Sequence, residues 1–551
     1  MAENRLDAAV LTINGQPLPA DLYARLLLVR VEESVHLPDA FEIRFEDAYF
    51  KLFDKAQFTL GDQVEIALRA DGDPVQITAG EVTALSVEQG TAGRHELVLT
   101  GFDLAHRLTH VPKRRSFQRM SDADIARRIA GEYSLDPDVD GGSGVLDHVL
   151  QSNETDLAFL TRRAARIGFD CWVTNKTLHF KRKPEGEGQP PTLRWGENLQ
   201  RFSVRFSAIE RCDEVVTRGW DPLDKRSVTG HAREGDTGTD APAAAELASA
   251  ARGAFGTVQR YATAFPVTDQ AEADALAKSL MLRASGDEVY FRGEAEGNPL
   301  IGAGAPVRIE RVGSRLSGSY RITSVTHIYG SHRPYVTRFV CGGKESRSLT
   351  DLMSSHTTAM RSASRGLPGL VVGQVTNNDD PEKLCRVKVK FPALTEDDES
   401  TWARLASPGG GSARGMQWVP EIGDEVLVGF EMDDTNRPIV VGGLWNRSDK
   451  PPEAALVDAG QVKGRVLASR KNSRVLLTDD PKTSVEVSLG DAACRLHLEK
   501  SSSSLEGEDK LVVSARQIEI KASDSVTIEG ARINVKASGE LAANGQPIRL
   551  N

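Results

Sequence analysis

The feature that most constrains this chain is a short apolar repeat close to the end of the sequence. Pairs of apolar residues separated by one residue recur at intervals of seven and eight residues. The pairs are Leu511/Val513, Ile518/Ile520, Val526/Ile528, Ile533/Val535, Leu541/Ala543 and Ile548/Leu550. No α-helix produces this spacing, whereas a three-residue strand places its first and third side chains on one face. The repeat therefore predicts six very short β-strands separated by polar turns.

Strands this short need cover from other strands. Ordering a residue costs about 1–2 kcal/mol of backbone entropy, and two aliphatic side chains contribute roughly 3–6 kcal/mol only when fully covered. Three chains wound around one axis would cover each other's apolar rows and leave no long free edge. We therefore predict a trimer whose core is every member of the six pairs except Ala543. A single-chain β-solenoid is the alternative that the repeat alone leaves open.

The preceding residues also favour a mainly β fold. Short alternating runs separated by turns predict a first barrel over residues 1–110, and strands resume in a second barrel over 191–345. Within the second barrel, the stretch 223–256 is rich in Gly, Ala, Asp and Thr and predicts a flexible loop. Residues 346–368 are rich in Ser, Thr, Arg and His and predict a connector.

Between the two barrels, residues 111–190 have helical periodicity and predict a helix-plus-hairpin insertion. Ser121 begins the first helix with a capping-box pattern, and the second helix is expected from Glu154 to Ile167, with Gly168 as its stop. Further along, five candidate strands predict an OB-type barrel over 369–447. The predicted needle takes up the remainder, 448–551.

Composition argues against several functions. The formal net charge of −10 gives no basic face of the kind that a general nucleic-acid binder needs. The first ten residues lack the pattern of a signal peptide, and nowhere do 18 apolar residues follow one another, so we expect synthesis in the cytoplasm. The five cysteines are scattered and form no CxxC pair, which predicts reduced, packed side chains.

No recognisable catalytic motif is present. The sequence has no nucleophile elbow, no His-Glu-x-x-His, no Walker loop and no dinucleotide fingerprint. Acidic clusters occur at Glu396–Glu399, Asp433–Asp434 and Asp479–Asp480, but their polar, turn-like surroundings favour solvated loops. The tail has one histidine, His497, and no His-x-His. We therefore predict no catalytic residue, no cofactor and no metal at the tip.

Several stretches resemble a known family. "VVGQVTNNDDPEKLCRVKVKFP", "WARLASPGGG" and "PEIGDEVLVGFEMDDTNRPIVVGGLWN" are similar to the OB-fold domain of contractile-tail spike proteins. "QSNETDLAFLTRRAARIGFDCWV" and "GAGAPVRIERVGSRLSGSYRITSVTH" look like the phage late-control/VgrG hub domain. Together with the repeating tail, the resemblance covers nearly the whole chain.

The resemblance implies a VgrG-like spike of a contractile injection system, of phage, type VI or extracellular type. Two related barrels per chain would make a pseudo-sixfold ring in a homotrimer, with the OB barrel as collar and a β-prism or β-helix as needle. Implied partners are a tail-tube protein above the hub, baseplate proteins around it and a cargo effector. The mature particle would be cytoplasmic or released from the cell.

The predicted tip consists of Pro547, Ile548, Arg549, Leu550 and Asn551. Because it would expose a small apolar threefold face, we expect a separate PAAR-like protein to cap it. Two other functions fit parts of the pattern. A trimeric tail fibre or receptor-binding protein shares the β-rod, and a cell-wall hydrolase would need a catalytic domain hidden in 223–256.

Overall fold

The computed structural model describes residues 9–549 except 36, 71, 90–94, 142–143, 183–188, 209–210, 234, 236, 263–265, 287, 332, 343–368, 393–398 and 491–493. The predicted connector 346–368 and the predicted tip residues Leu550 and Asn551 lie outside this set. The chain divides into two compact units, residues 1–444 and 445–551. None of the helices in the described parts is long and apolar enough to cross a membrane.

The first unit begins with a strongly curled antiparallel sheet. Its strands are β1 Ala9–Ile13, β2 Gln16–Pro17, β3 Leu26–Ser34, β4 Ala40–Glu46, β5 Gln63–Leu68, β6 Val75–Gln89 and β7 His95–Asp103. Two one-turn helices, α1 Ala20–Tyr23 and α2 Lys51–Asp54, and 3-10 turns at Ala48–Phe50 and Leu104–Thr109 connect them. Alternation is strict in β4, where the side chains of Phe41, Ile43 and Phe45 are buried and those between them are not.

The insertion follows as a separate small core. Its elements are β8 Lys113–Met120, α3 Asp122–Glu132, β9 Asp136–Val139, β10 Leu146–Glu154, α4 Asp156–Ile167, β11 Asp170–Thr174 and β12 Thr177–Lys181. Ser121 makes the predicted capping box with Asp124, and Gly168 ends α4 with a φ of 73°. The hairpin β11–β12 turns at Asn175, whose φ is also positive. These local predictions are confirmed.

The second half of the hub contains more helix than the sequence predicted. Its elements are β13 Thr192–Arg194, β14 Leu199–Phe206, β15 Glu214–Asp221, β16 Arg226–Ala232, α5 Pro242–Phe255, β17 Gln259–Ala262, α6 Gln270–Gly286, β18 Val289–Glu296, β19 Pro306–Glu310, β20 Gly318–Gly330 and β21 Arg333–Cys341. The prediction of a flexible loop over 223–256 is therefore wrong, because β16 and α5 occupy most of this stretch. β16 pairs with β15 along its length, and Pro242 opens an alanine-rich helix.

The two predicted hub barrels share one continuous sheet. β20 pairs antiparallel with β3, so that the strands from β14 to β2 form a single hydrogen-bonded path. Each half still has its own hydrophobic core. His327 of β20 lies fully buried at the junction, where it meets Glu33 of β3. No local pattern predicts this pairing, because its partners are almost 300 residues apart.

The OB barrel completes the first unit. Its strands are β22 Leu370–Asn377, β23 Lys388–Lys390, β24 Arg404–Leu405, β25 Gly410–Gly411, β26 Arg414–Gly415, β27 Glu425–Phe430 and β28 Pro438–Gly443, with a 3-10 turn at Glu431–Asp433. The sheet order is β23-β22-β27-β28-β24, and isolated bridges from Val387 to Ala403 and from Lys390 to Glu399 close the barrel. The parallel pairing of β24 with β28 is the arrangement of an OB fold.

The second unit is a meander followed by extended chain. A 3-10 turn at Ala454–Leu456 precedes β29 Val457–Asp458, β30 Gln461–Val462, β31 Gly464–Ala468, β32 Arg474–Thr478, β33 Ser484–Ser488, β34 Cys494–Glu499 and β35 Ser503–Gly507. β31 to β35 form one antiparallel sheet in sequential order. Residues 508–549 have no strand or helix assigned, although the sequence predicted short strands there. Three-residue strands form ladders only where a neighbouring strand supplies their hydrogen bonds.

Candidate assembly interface

One face of the sheet β31–β35, which we call the aliphatic face, carries apolar side chains across all five strands. The cross-strand register aligns one residue from each strand in a row: Leu467, Val475, Val487, Leu496 and Leu505. A second row on the same face contains Leu477, Val485 and Leu498, flanked by Arg465 and Ser503. Direct cross-strand neighbours on one face lie in side-chain contact, so that these rows form a continuous apolar surface.

The aliphatic face is uncovered in the single chain. Leu467 is 54% exposed, Leu477 and Val487 are each 43% exposed, and Leu505 is 50% exposed. Soluble proteins rarely leave a contiguous aliphatic surface open to water, and such a surface marks an interaction site.

The opposite face of the same sheet is charged and less exposed. Glu486 at its centre accepts hydrogen bonds from Ser488 Oγ at 3.0 Å and pairs with the Arg495 guanidinium at 2.6 Å. Arg474 lies 3.6 Å away on the next strand. Burial raises the pKa of Glu486, but the hydrogen bonds from Ser488 and Arg495 outweigh it and hold the pKa below its ordinary value. Ser488 and Arg495 therefore stabilise Glu486 as an anion, while Arg495 Nε and His497 Nδ1 are buried without a hydrogen-bond partner in the described part of the chain.

The apolar pairs of the tail repeat are exposed too, as the residues of the aliphatic face are. The predicted core residues that the structure describes are Leu511, Val513, Ile518, Ile520, Val526, Ile528, Ile533, Val535, Leu541 and Ile548, and each is more than half exposed. At the predicted tip, Pro547 and Arg549 are exposed as well. The structure of one chain brings none of these side chains into a buried core, so that their role in a trimer stays a prediction.

Sequence reasoning missed the aliphatic face, although a signal was present. The tail spacing of apolar, any, apolar also occurs at Val475/Leu477, Val485/Val487 and Leu496/Leu498. These pairs recur at longer intervals of 10 and 11 residues, because each strand is five or six residues long. The longer period hid them from a search for a seven-to-eight-residue repeat.

The acidic clusters form no described catalytic arrangement. Asp434 forms salt bridges with Arg166 and Arg437. Asp479 pairs with Arg465 on the surface. Glu399 pairs with Lys388, and the remainder of its cluster lies outside the described residues. Across the described part of the chain, no group of three His, Cys, Asp or Glu side chains is arranged to hold a metal ion.

Two family models match the chain. Residues 371–445 match the Type VI secretion system/phage-baseplate injector OB domain, and residues 8–330 match the Alg8 N-terminal domain. Among curated relatives, the spike protein VgrG5 of Pseudomonas aeruginosa is 34% identical over 87 residues, which are 15% of this chain and 11% of that protein. VgrG2a of the same organism is 32% identical over 141 residues, 23% of this chain and 16% of that protein.

Among solved structures, a chain of the half-lidded Francisella PdpA–VgrG complex is similar with a TM-score of 0.52 at 8% identity. The similarity covers 91% of this chain and 88% of that one, and it concerns the fold. The matched segments span little more than a tenth of the length of the first curated relatives. The OB barrel that matches the injector family model and the VgrG relatives place this chain among the VgrG-like spike proteins. The curled hub sheet agrees with this class. The chain belongs to the Alg8 N-terminal domain family, whose model matches more than half of its residues.

Proposed function

We propose that this chain is the structural central spike and hub of a contractile injection system and works as a homotrimer without catalysing a reaction. The observation that carries the proposal is the uncovered aliphatic face together with the exposed apolar rows of the tail. A monomer would leave both in water, whereas three copies around one axis cover both at once. The injector OB domain at 371–445 supports the assignment to this machinery.

The proposed mechanism is mechanical. The hub sheet joins a sixfold tail tube, the OB barrel forms the collar, and the tail leads the tube through the target envelope. The function needs stiffness, which parallel backbone hydrogen bonds and a covered apolar core supply. No nucleophile or general acid takes part. One curated relative, the actin cross-linking toxin VgrG1 of Vibrio cholerae, is named for a catalytic activity. This chain matches only 8% of the length of that protein.

The proposed function implies several partners. A tube protein binds above the hub, baseplate proteins surround it, and a PAAR-like protein covers the end formed by Pro547, Ile548 and Arg549. A cargo effector travels with the spike. The assembled particle is the site of action, either in the cytoplasm or after release.

The trimer is tested by substituting one apolar residue in each of two neighbouring tail pairs, Ile520 and Ile528. Ile520→Asp together with Ile528→Asp puts six carboxylates into the core of a trimer, where unpaired charges cost several kcal/mol each. We expect sedimentation velocity to show a trimer for the wild type and a monomer for this variant. Thr527→Asp is the matched control, because Thr527 lies between the two apolar positions of its pair and points to the other side.

Three outcomes would contradict the proposal in whole or in part. A wild-type chain that sediments as a folded monomer at micromolar concentration removes the trimer. A double variant that remains trimeric excludes the tail pairs from its core. A trimer that hydrolyses purified cell wall would contradict the non-catalytic part alone.

A further inference from the structure

The three-stranded sheet β16-β15-β17 of the hub has one covered face and one open face. The covered face packs against α6, where Thr217 Oγ1 donates to the carbonyl oxygen of Ala273 at 2.8 Å. Gly219 lies on the same side, because a Cβ built on it would come within 2.1 Å of the carbonyl oxygen of Val267. Alternation along β15 therefore turns the residues next to Thr217 and Gly219 to the open side.

The open side carries two exposed aromatic rings with a cation between them, and we call Trp220, Arg218 and Tyr261 the aromatic face. Trp220 is 47% exposed and Tyr261 is 43% exposed. The guanidinium carbon of Arg218 lies 5.0 Å from the centre of the Tyr261 ring and leaves much of that ring in water. Tyr261 is the register partner of Val216, which lies about 13 Å from Trp220 along β15. The aromatic face is therefore a strip longer than a single small ring.

The Tyr261 ring is held in place by a chain of hydrogen bonds. Its hydroxyl donates to Gln259 Oε1 at 2.6 Å, and Gln259 Nε2 donates to Glu214 Oε2 at 2.6 Å. The other oxygen of Glu214 accepts a hydrogen bond from Arg233 Nε at 3.0 Å and lies 3.1 Å from His231 Nδ1. A ring that is already oriented loses little freedom when a ligand stacks on it.

The chemistry of this strip fits an acidic sugar chain. The face of an aromatic ring is electron-rich, and the C–H groups on one side of a pyranose ring are electron-poor, so that sugars stack on exposed tryptophan and tyrosine. A guanidinium binds carboxylates through its fork of N–H groups. Among the described residues, no carboxylate pairs with Arg218. Its N–H groups are therefore open to a carboxylate from outside the chain.

We propose that the aromatic face binds a carboxylated oligosaccharide. Sugar rings stack on Trp220 and Tyr261, and the carboxylate of a sugar between them pairs with Arg218. The inference goes beyond the proposed spike function and does not depend on the trimer.

The observations favour a sugar over a single-stranded nucleic acid, which also combines stacking with charge. A nucleic acid needs cations along its whole backbone, whereas the formal net charge of the chain is −10. Two further basic side chains beside the aromatic face, His231 and Arg233, already contact the carboxylate of Glu214. One cation between two rings matches a chain in which an acidic sugar is flanked by stacked ones.

Titration calorimetry of the full chain with a short oligogalacturonate tests the site. We expect the wild type to bind, and Trp220→Ala to weaken binding by about tenfold because one stacking surface is lost. The matched control is Trp445→Ala, which removes a 73% exposed tryptophan elsewhere and should leave the affinity unchanged. Thermal melts followed by circular dichroism check that both variants fold.

A second variant tests the charge separately. Arg218→Gln should weaken binding by about fivefold at low salt, and the difference from the wild type should vanish at high salt, which screens exposed charges. Arg201→Gln, at a side chain that is 81% exposed on β14, is the matched control and should bind as the wild type does. Methyl-esterified oligogalacturonate should bind the wild type and Arg218→Gln equally, because it has no carboxylate for Arg218 to pair with.

Three results would overturn the inference. The first is a wild type that binds no oligogalacturonate, and the second is a control variant that weakens binding as much as its partner in the aromatic face does. The third is tighter binding of oligothymidylate of similar length, which would make the face a nucleic-acid site. Sedimentation of the same samples keeps the proposed function separate: a trimer that binds no sugar removes this inference alone, and a monomer that binds it removes the trimer alone.

Discussion

The guanidinium of Arg163 lies almost entirely buried between α3 and α4. Its Nε donates to Asp122 Oδ1 at 2.5 Å and its Nη2 donates to Asp122 Oδ2 at 3.0 Å, which makes a two-pronged ion pair. Both side chains are less than a tenth exposed. Buried charges of this kind are stable only as a pair, since each one alone would lose its hydration without compensation.

Removing one partner should therefore be costly. We expect Asp122→Ala to lower the free energy of unfolding of the insertion by about 3–5 kcal/mol, because Arg163 would remain buried without its carboxylate. Arg127→Ala on the same helix is the control: it removes an exposed pair with Asp124 and should cost less than about 1 kcal/mol. Urea titrations of the two variants make the comparison, and equal midpoints would contradict this account.

Residue-scale features were predictable where their cause is local. The capping box at Ser121 and the stop at Gly168 depend on residues within one turn, so that the sequence indicates them directly. The pair of Arg163 and Asp122 spans 41 residues and depends on how two helices pack. Nothing in the local sequence around either residue distinguishes it from an ordinary surface charge.

At the scale of elements, the sheet β31–β35 has an unusual distribution of polarity. Its charged face is the less exposed one within the chain, and its aliphatic face is open. A sheet that folded as part of a monomer would show the opposite arrangement. Its polarity therefore fits an element whose apolar side is covered by other copies.

A single carboxylate in the aliphatic face should disrupt assembly. Val487 lies in the row that crosses all five strands, between Val475 and Leu496. We expect Val487→Asp to shift the trimer to monomer in sedimentation, because the charge would lose its hydration in the interface. Val487→Thr keeps the branched shape without a charge and should remain trimeric. A trimeric Val487→Asp chain would show that this face is not part of the interface.

Elements could be predicted where one chain supplies all of their partners. The OB strands and α4 depend on alternation and periodicity, which the sequence displays. The stretch 223–256 was misjudged because small residues suit both loops and helices, and pairing with β15 decided the outcome. The strands predicted in the tail stay a prediction, because the partners proposed for their hydrogen bonds are other copies of the chain.

Across the first unit, four charged groups fasten the OB barrel to the hub. Arg166 of α4 pairs with Glu272 of α6 and lies 3.6 Å from Asp434, in the turn between β27 and β28. Arg437 lies 3.5 Å from Glu272 and 3.7 Å from Asp434, which closes the ring of alternating charges. The backbone N–H of Leu150 also donates to Asn436 Oδ1 at 2.9 Å. Charge repulsion between the two carboxylates is therefore balanced by two arginines.

Loss of Arg166 should loosen this connection without unfolding the barrel. Burial lowers the pKa of Arg166, but Glu272 and Asp434 outweigh it and keep the guanidinium charged. We expect Arg166→Met to speed hydrogen exchange in the 431–437 turn by about tenfold, while the amides of β22 and β27 keep their rates. Arg315→Met removes a solvent-exposed pair with Glu246 and is the control. Unchanged exchange in the turn would show that Arg166 is not needed to hold the barrel.

The polarity of the β31–β35 sheet has a further consequence for how the protein is made. Under the proposed assembly, a newly synthesised chain carries an open row of leucine and valine until two more copies arrive, and such rows also bind unrelated chains. Under the proposed assembly, yield and heat resistance should both rise with protein concentration, because association is part of folding. Slow expression of a single copy would then produce precipitate, whereas chains released together from neighbouring ribosomes would find each other first.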